Sequence, residues 1–116
     1  MKLLTNPQLE QMLANGKMAA TDPAFDPYPV VKLFTPDANC TWLLAWLDAD
    51  DNDIAFGLCD LGLGFPELGS VRMSELESIR GRLRLPIERD RHWTSTHPLS
   101  AYATAARKAE RIVDRL

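Results

Sequence analysis

The chain has 116 residues, 46% hydrophobic and 25% charged, with a net charge of −3. These values exclude disorder and fit one globular domain over residues 1–116, able to bury a core without disulfide staples. Residues 1–71 carry a net −7 and residues 72–116 a net +4. The acidic whole excludes a general nucleic-acid coat, while the basic half can meet phosphates locally or pair with the acidic half.

In chain order, Met1-Lys2-Leu3-Leu4 lacks the pattern of a secretory signal, so a cytoplasmic setting is expected. Thr5-Asn6-Pro7-Gln8 predicts a capped helix start, with Leu9, Met12 and Leu13 on one stripe and Gly16 as the stop. Residues 17–29, with Pro23, Pro27 and Pro29, read as a loop. Val30–Phe34 reads as a strand, followed by the turn cluster Thr35–Asn39. Residues 40–47 and 54–59 read as a central hairpin around Asp48–Asp53. Centred between Asp50 and Asp51, it sets Trp42 opposite Cys59, Leu43 opposite Leu58, Leu44 opposite Gly57, Ala45 opposite Phe56 and Trp46 opposite Ala55. Trp42 and Trp46 then share one face and make a candidate docking surface. Longest apolar runs such as Trp42–Leu47 fall well short of a membrane span, and no membrane partner is expected.

Asp60–Pro66 is a glycine-punctuated loop and Glu67–Met73 a fourth strand. Ser74 and Glu77 predict a capping box for a short helix ended by Gly81. Arg82–Leu85 alternates as a strand with Leu83 and Leu85 inward, and Arg89–Thr94 reads as another. Thr96-His97-Pro98 opens a helix whose apolar face runs Leu99, Tyr102, Ala103, Ala106, Ala109, Val113 and Leu116. The expected fold is α+β: a mostly antiparallel sheet of four to six strands packed by amino- and carboxy-terminal helices.

Several ordered motifs point to a known family. They are Val31-Lys32-Leu33-Phe34-Thr35-Pro36-Asp37, Thr41-Trp42, Phe56-Gly57, Pro66-Glu67-Leu68-Gly69, Ser74–Gly81, Leu85-Pro86-Ile87-Glu88-Arg89-Asp90 and Pro98-Leu99-Ser100. Over residues 30–100, with the amino-terminal helix also in place, the chain resembles the bacterial domain-of-unknown-function family 2958. The resemblance implies a protein of plasmids and integrative elements. It supplies no catalytic set that maps onto these residues, although single-stranded DNA cleavage is among its associations.

No metal or cofactor motif is read. Asp48–Asp53 starts like a calcium loop, but Asp53 stands where glycine is needed and Cys59 where glutamate is. Cys40 and Cys59 lack zinc or redox spacing and read as free thiols. Asp90 and His92, on one face of an extended segment, are a candidate acid–base pair or a plain surface ion pair. Arg80, Arg82, Arg84, Arg89, Arg91 and Trp93 form the candidate binding group, since guanidinium forks suit phosphates and an aromatic ring stacks bases. A solvated or internally salt-bridged face is the competing reading.

The leading expectation is a non-enzymatic accessory or binding module of mobile genetic elements, contacting a protein or a nucleic acid. The alternatives are a small metal-dependent single-stranded DNA nuclease using Asp90 and His92, and an acidic DNA-mimic inhibitor of host defence enzymes acting through Asp48–Asp53.

Overall fold

A computed structural model describes residues 2–116. The elements are α1 (Asn6–Thr21), β1 (Val31–Phe34), β2 (Thr41–Leu47), β3 (Ile54–Asp60), β4 (Glu67–Arg72), α2 (Met73–Ser78), β5 (Glu88–Arg89) and α3 (Leu99–Ala109). The strands make one antiparallel sheet in the order β4-β3-β2-β1-β5, so the hairpin β2–β3 lies inside it, as the apolar character of both its faces requires. One face packs Val31, Leu33, Trp42, Leu44 and Leu47 with Met12 of α1 and Met73 and Leu76 of α2. The other packs Leu43, Ala45 and Leu58 with Leu99, Tyr102, Ala103 and Ala106 of α3. This is the expected α+β architecture.

The amino-terminal cap forms as predicted. Gln8 N–H donates to Thr5 Oγ1 at 3.2 Å, and Thr5 N–H donates to Gln8 Oε1 at 3.0 Å. Gly16 does not stop the helix, which continues to Thr21 and shortens the expected loop. Gly16 is the point where α1 presses on β2. A Cβ there would overlap the Leu47 carbonyl oxygen, so the missing side chain serves packing rather than termination.

The hairpin register holds for Trp42↔Cys59, Leu43↔Leu58 and Leu44↔Gly57, then shifts by one. Trp46 pairs with Phe56, and Leu47 with Ala55, because β2 bulges between Leu44 and Trp46. A one-residue shift exchanges faces. The two tryptophans therefore lie on opposite faces: Trp42 is buried in the α1 core, and Trp46 stacks on Phe56 in the α3 layer at 4.4 Å between centroids.

Further expectations change in the second half of the chain. Arg82–Leu85 is a tight loop rather than a strand. Arg84 N–H donates to the Gly81 carbonyl and Gly81 N–H to the Leu85 carbonyl, Arg84 is left-handed at φ 63°, and Leu83 is 74% exposed. Beyond the Arg80↔Pro86 bridge that closes the loop, extended pairing is limited to Glu88–Arg89, so Arg89–Thr94 is not a strand. The last helix ends at Ala109, with Glu110 left-handed at φ 59°. The chain then turns so that Ile112, rather than Ala109 or Leu116, is buried. Neither Ser74 nor Thr96 caps a helix. Those duties fall to aspartates distant in sequence, described next.

Candidate functional site

Four aspartates of the acidic half accept backbone N–H groups from the basic half. Asp53, in the β2–β3 turn, accepts Ser74 N–H at 2.9 Å and the Ser74 hydroxyl at 2.6 Å, capping α2. Asp26 accepts Ser100 N–H at 3.0 Å and the Ser100 hydroxyl, capping α3. Buried Asp60 accepts Gly62 N–H at 2.8 Å and Ile112 N–H at 2.9 Å, which sets the turn after α3. Asp37 accepts Leu83 N–H at 2.7 Å and Leu85 N–H at 3.4 Å. Gly81 leaves room for the Asp37 carboxylate, which a Cβ would overlap.

This arrangement decides how the charge asymmetry is resolved. Of these four acids only Asp53 also pairs with an arginine; Asp26, Asp37 and Asp60 hold backbone instead. The ion pairs among the described residues join Arg72 to Asp51 and Asp53, and Lys32 to Asp90 and Asp114. None of Arg80, Arg82, Arg84, Arg89 and Arg91 has a carboxylate within 4.0 Å among the described residues. The arginines divide by other contacts. Arg80 donates to the carbonyls of Glu77 and Ile79 at the end of α2. Arg89 donates to the Leu3 carbonyl at 2.9 Å and holds the amino-terminal segment. Arg82, Arg84 and Arg91 are exposed, and Arg82 and Arg84 project from the loop that Asp37 pins.

Trp93 is half-buried. Its indole N–H donates to the Asp114 carbonyl at 2.7 Å, and its ring meets Tyr102 edge-on at 5.9 Å. Trp93 is therefore held between α3 and the carboxy-terminal segment. Of the other docking candidates, Trp42 is buried and Trp46 half-buried.

Asp90 and His92 are brought together, but through backbone. Asp90 Oδ1 accepts the His92 N–H at 3.0 Å, and Oδ2 lies 3.3 Å from Lys32 Nζ. Burial pushes the Asp90 carboxyl up, but the His92 N–H and the Lys32 ammonium outweigh it and hold the group below its ordinary value. Burial likewise pulls Lys32 down, and the bonds and charges of Asp114 and Asp90 leave it raised. The pair as placed is a stable carboxylate beside a stable ammonium. Among the described residues, no three His, Cys, Asp or Glu side chains converge in a way that would hold a metal ion.

Lys32 and Phe34 extend from the stretch of the sheet between two open hollows. One, of about 530 Å³, reaches Arg111, Gly62 and Gly64; the other, of about 350 Å³, reaches Arg91 and His92. Sequence reasoning passed over Lys32, Phe34, Asp26 and Asp60. The one readable signal was Asp60-Leu61-Gly62, an Asx-turn pattern; the others act across long sequence separations. No helix among the described residues is long and apolar enough to cross a membrane.

Comparison with known proteins gives a family and nothing finer. No curated protein and no solved structure matches the chain. The model of a family described as protein of unknown function (DUF2958) matches residues 3–113, nearly the whole length, and the chain belongs to that family.

Proposed function

We propose that this chain is a non-enzymatic accessory module of mobile genetic elements that contacts nucleic acid through arginines of its basic half. The mobile-element setting comes from the family resemblance. The binding role rests on one observation: Arg82, Arg84 and Arg91 are exposed with no carboxylate partner among the described residues, while Asp26, Asp37 and Asp60 hold backbone N–H groups instead. Two of these arginines stand on a loop whose backbone Asp37 already fixes, so the ordering cost of meeting phosphates falls on their side chains alone. The acidic turn supports the mimic alternative less well. Asp48 accepts two turn N–H groups, Asp51 another, and Asp53 caps α2.

The test is titration of labelled single- and double-stranded DNA at low and moderate salt. Phosphate-carried binding weakens steeply as salt rises. Absence of binding at low salt would remove the nucleic-acid reading and leave a protein partner. Cleavage in the presence of Mg²⁺ or Mn²⁺ that is lost in Asp90→Ala and His92→Ala would favour the nuclease alternative.

A further inference from the structure

We propose that the small hairpin over residues 81–85 is a wedge for the minor groove of duplex DNA, with Arg82 and Arg84 on the phosphates and Leu83 inserted at a base step. The proposal rests on the nucleic-acid reading above and adds to it the form of the nucleic acid and an apolar contact. The hairpin holds its tip still. Arg84 N–H donates to the Gly81 carbonyl at 2.9 Å, and Gly81 N–H donates to the Leu85 carbonyl at 3.1 Å. The bridge between Arg80 and Pro86 closes the base. A turn at Arg82 and Leu83 followed by a left-handed residue is a common three-residue hairpin loop. Asp37 ties this loop to the turn after β1 through the N–H groups of Leu83 and Leu85, and Gly81 lies against the same carboxylate.

Two features of the tip serve nothing inside the fold. Leu83 is 74% exposed although its own N–H is tethered at 2.7 Å, so the backbone fixes an apolar group in water. Arg84 takes φ 63° at the position where such a loop usually carries glycine. Any side chain is strained there, and strain of this kind gathers at functional sites. The Arg84 guanidinium has no carboxylate partner among the described residues that would offset the strain.

The order cation, leucine, cation selects the occupant. A duplex groove presents phosphates on both rims and stacked bases between them. Proteins that read the minor groove combine basic side chains with an apolar wedge that opens a base step and bends the duplex. Single strands are held by stacking on aromatic rings, and residues 80–86 include none. Exposed Glu75, Glu77 and Glu88 flank the hairpin in sequence. A broad anionic plane such as a bilayer therefore matches it less well than a groove that receives the tip alone.

Energy transfer across a short duplex labelled at both ends, titrated with the full chain at low salt, tests the proposal. The expected result is a rise in transfer as the duplex bends, with binding displaced by the minor-groove ligand netropsin. Leu83→Ala is expected to abolish the rise and weaken binding about tenfold, with the salt slope unchanged. Arg84→Gly is expected to lose no stability in urea, because glycine suits the left-handed position, and to make the log–log salt slope shallower by about 0.9. Binding without a bend, or a bend that survives Leu83→Ala, would overturn the wedge and leave the nucleic-acid reading standing. So would tighter binding to single strands than to the duplex, or wild-type binding in Arg84→Gly. Absence of binding to any DNA at low salt would overturn both. Co-sedimentation with anionic vesicles that depends on Leu83, without duplex binding, would assign the tip to a lipid surface and likewise overturn both.

Discussion

The side-chain amide of Asn15 in α1 donates to the carbonyl of Ala45 at 2.9 Å, at the point where β2 bulges against β3. Gln11 Nε2 donates in turn to Asn15 Oδ1 at 2.8 Å and fixes the amide. One helical side chain thus marks the place where the sheet changes register and sends Trp42 and Trp46 to opposite faces.

Asn15→Leu should destabilise the protein by about 1–3 kcal/mol, because a carbonyl that loses a buried partner keeps its desolvation cost. Urea denaturation measures this. A variant as stable as wild type would show that the bulge does not depend on the amide.

Gly16→Ala tests the contact of α1 with β2. In an exposed helix the change would gain about 1 kcal/mol of helix propensity. Here the new methyl group would overlap the Leu47 carbonyl, a backbone atom that cannot rotate away. Overpacking costs of roughly 1–3 kcal/mol should reverse the sign, giving a net loss of stability in the same denaturation experiment.

How much was legible follows from where each cause lies. The hairpin and its first three pairs could be read from residues 40–59, because turn chemistry and apolar runs are local signals. The bulge could not, since both faces are apolar and neither marks a slip. Gly16 reads as a helix stop unless Leu47 is known to lie against it. Arg82–Leu85 alternates like a strand, yet Asp37, far off in sequence, captures its N–H groups. The final helix keeps its apolar period past Ala109, but Asp60 takes the Ile112 N–H and turns the chain. For the site, the arginines could be found by composition. Which of them stay free could not, because Arg89 is claimed by the Leu3 carbonyl, far off in sequence.

Lys32→Met should lower stability at neutral pH by about 2 kcal/mol, as expected for charge-assisted hydrogen bonds, by leaving Asp90 and Asp114 without their cation. The pH dependence follows from the two shifts. Lys32 is raised, so its contribution is complete below its unfolded value of about 10.4 and disappears as pH rises through the folded one. Asp90 is lowered, so its contribution is present above about 3.9 and disappears as pH falls through the folded value. The difference between wild type and variant should therefore shrink in acid below about pH 4 and again in strong alkali. Denaturation curves at acidic, neutral and alkaline pH check this.

Cys59 should resist alkylation in the folded protein. Burial pushes its thiol up to about 11, so little thiolate is present at neutral pH. Mass spectrometry after a short iodoacetamide pulse should find Cys59 unmodified under native conditions and modified in urea. Rapid native labelling would contradict the packing of β3 against β2.

The most direct test of the functional account is the salt dependence of DNA affinity in wild type and in the Arg82→Ala/Arg84→Ala double variant. The account predicts measurable wild-type binding and a log–log slope shallower by about 1.4–1.8 in the variant, the release expected from two lost phosphate contacts. Identical slopes and affinities in the two proteins would contradict it.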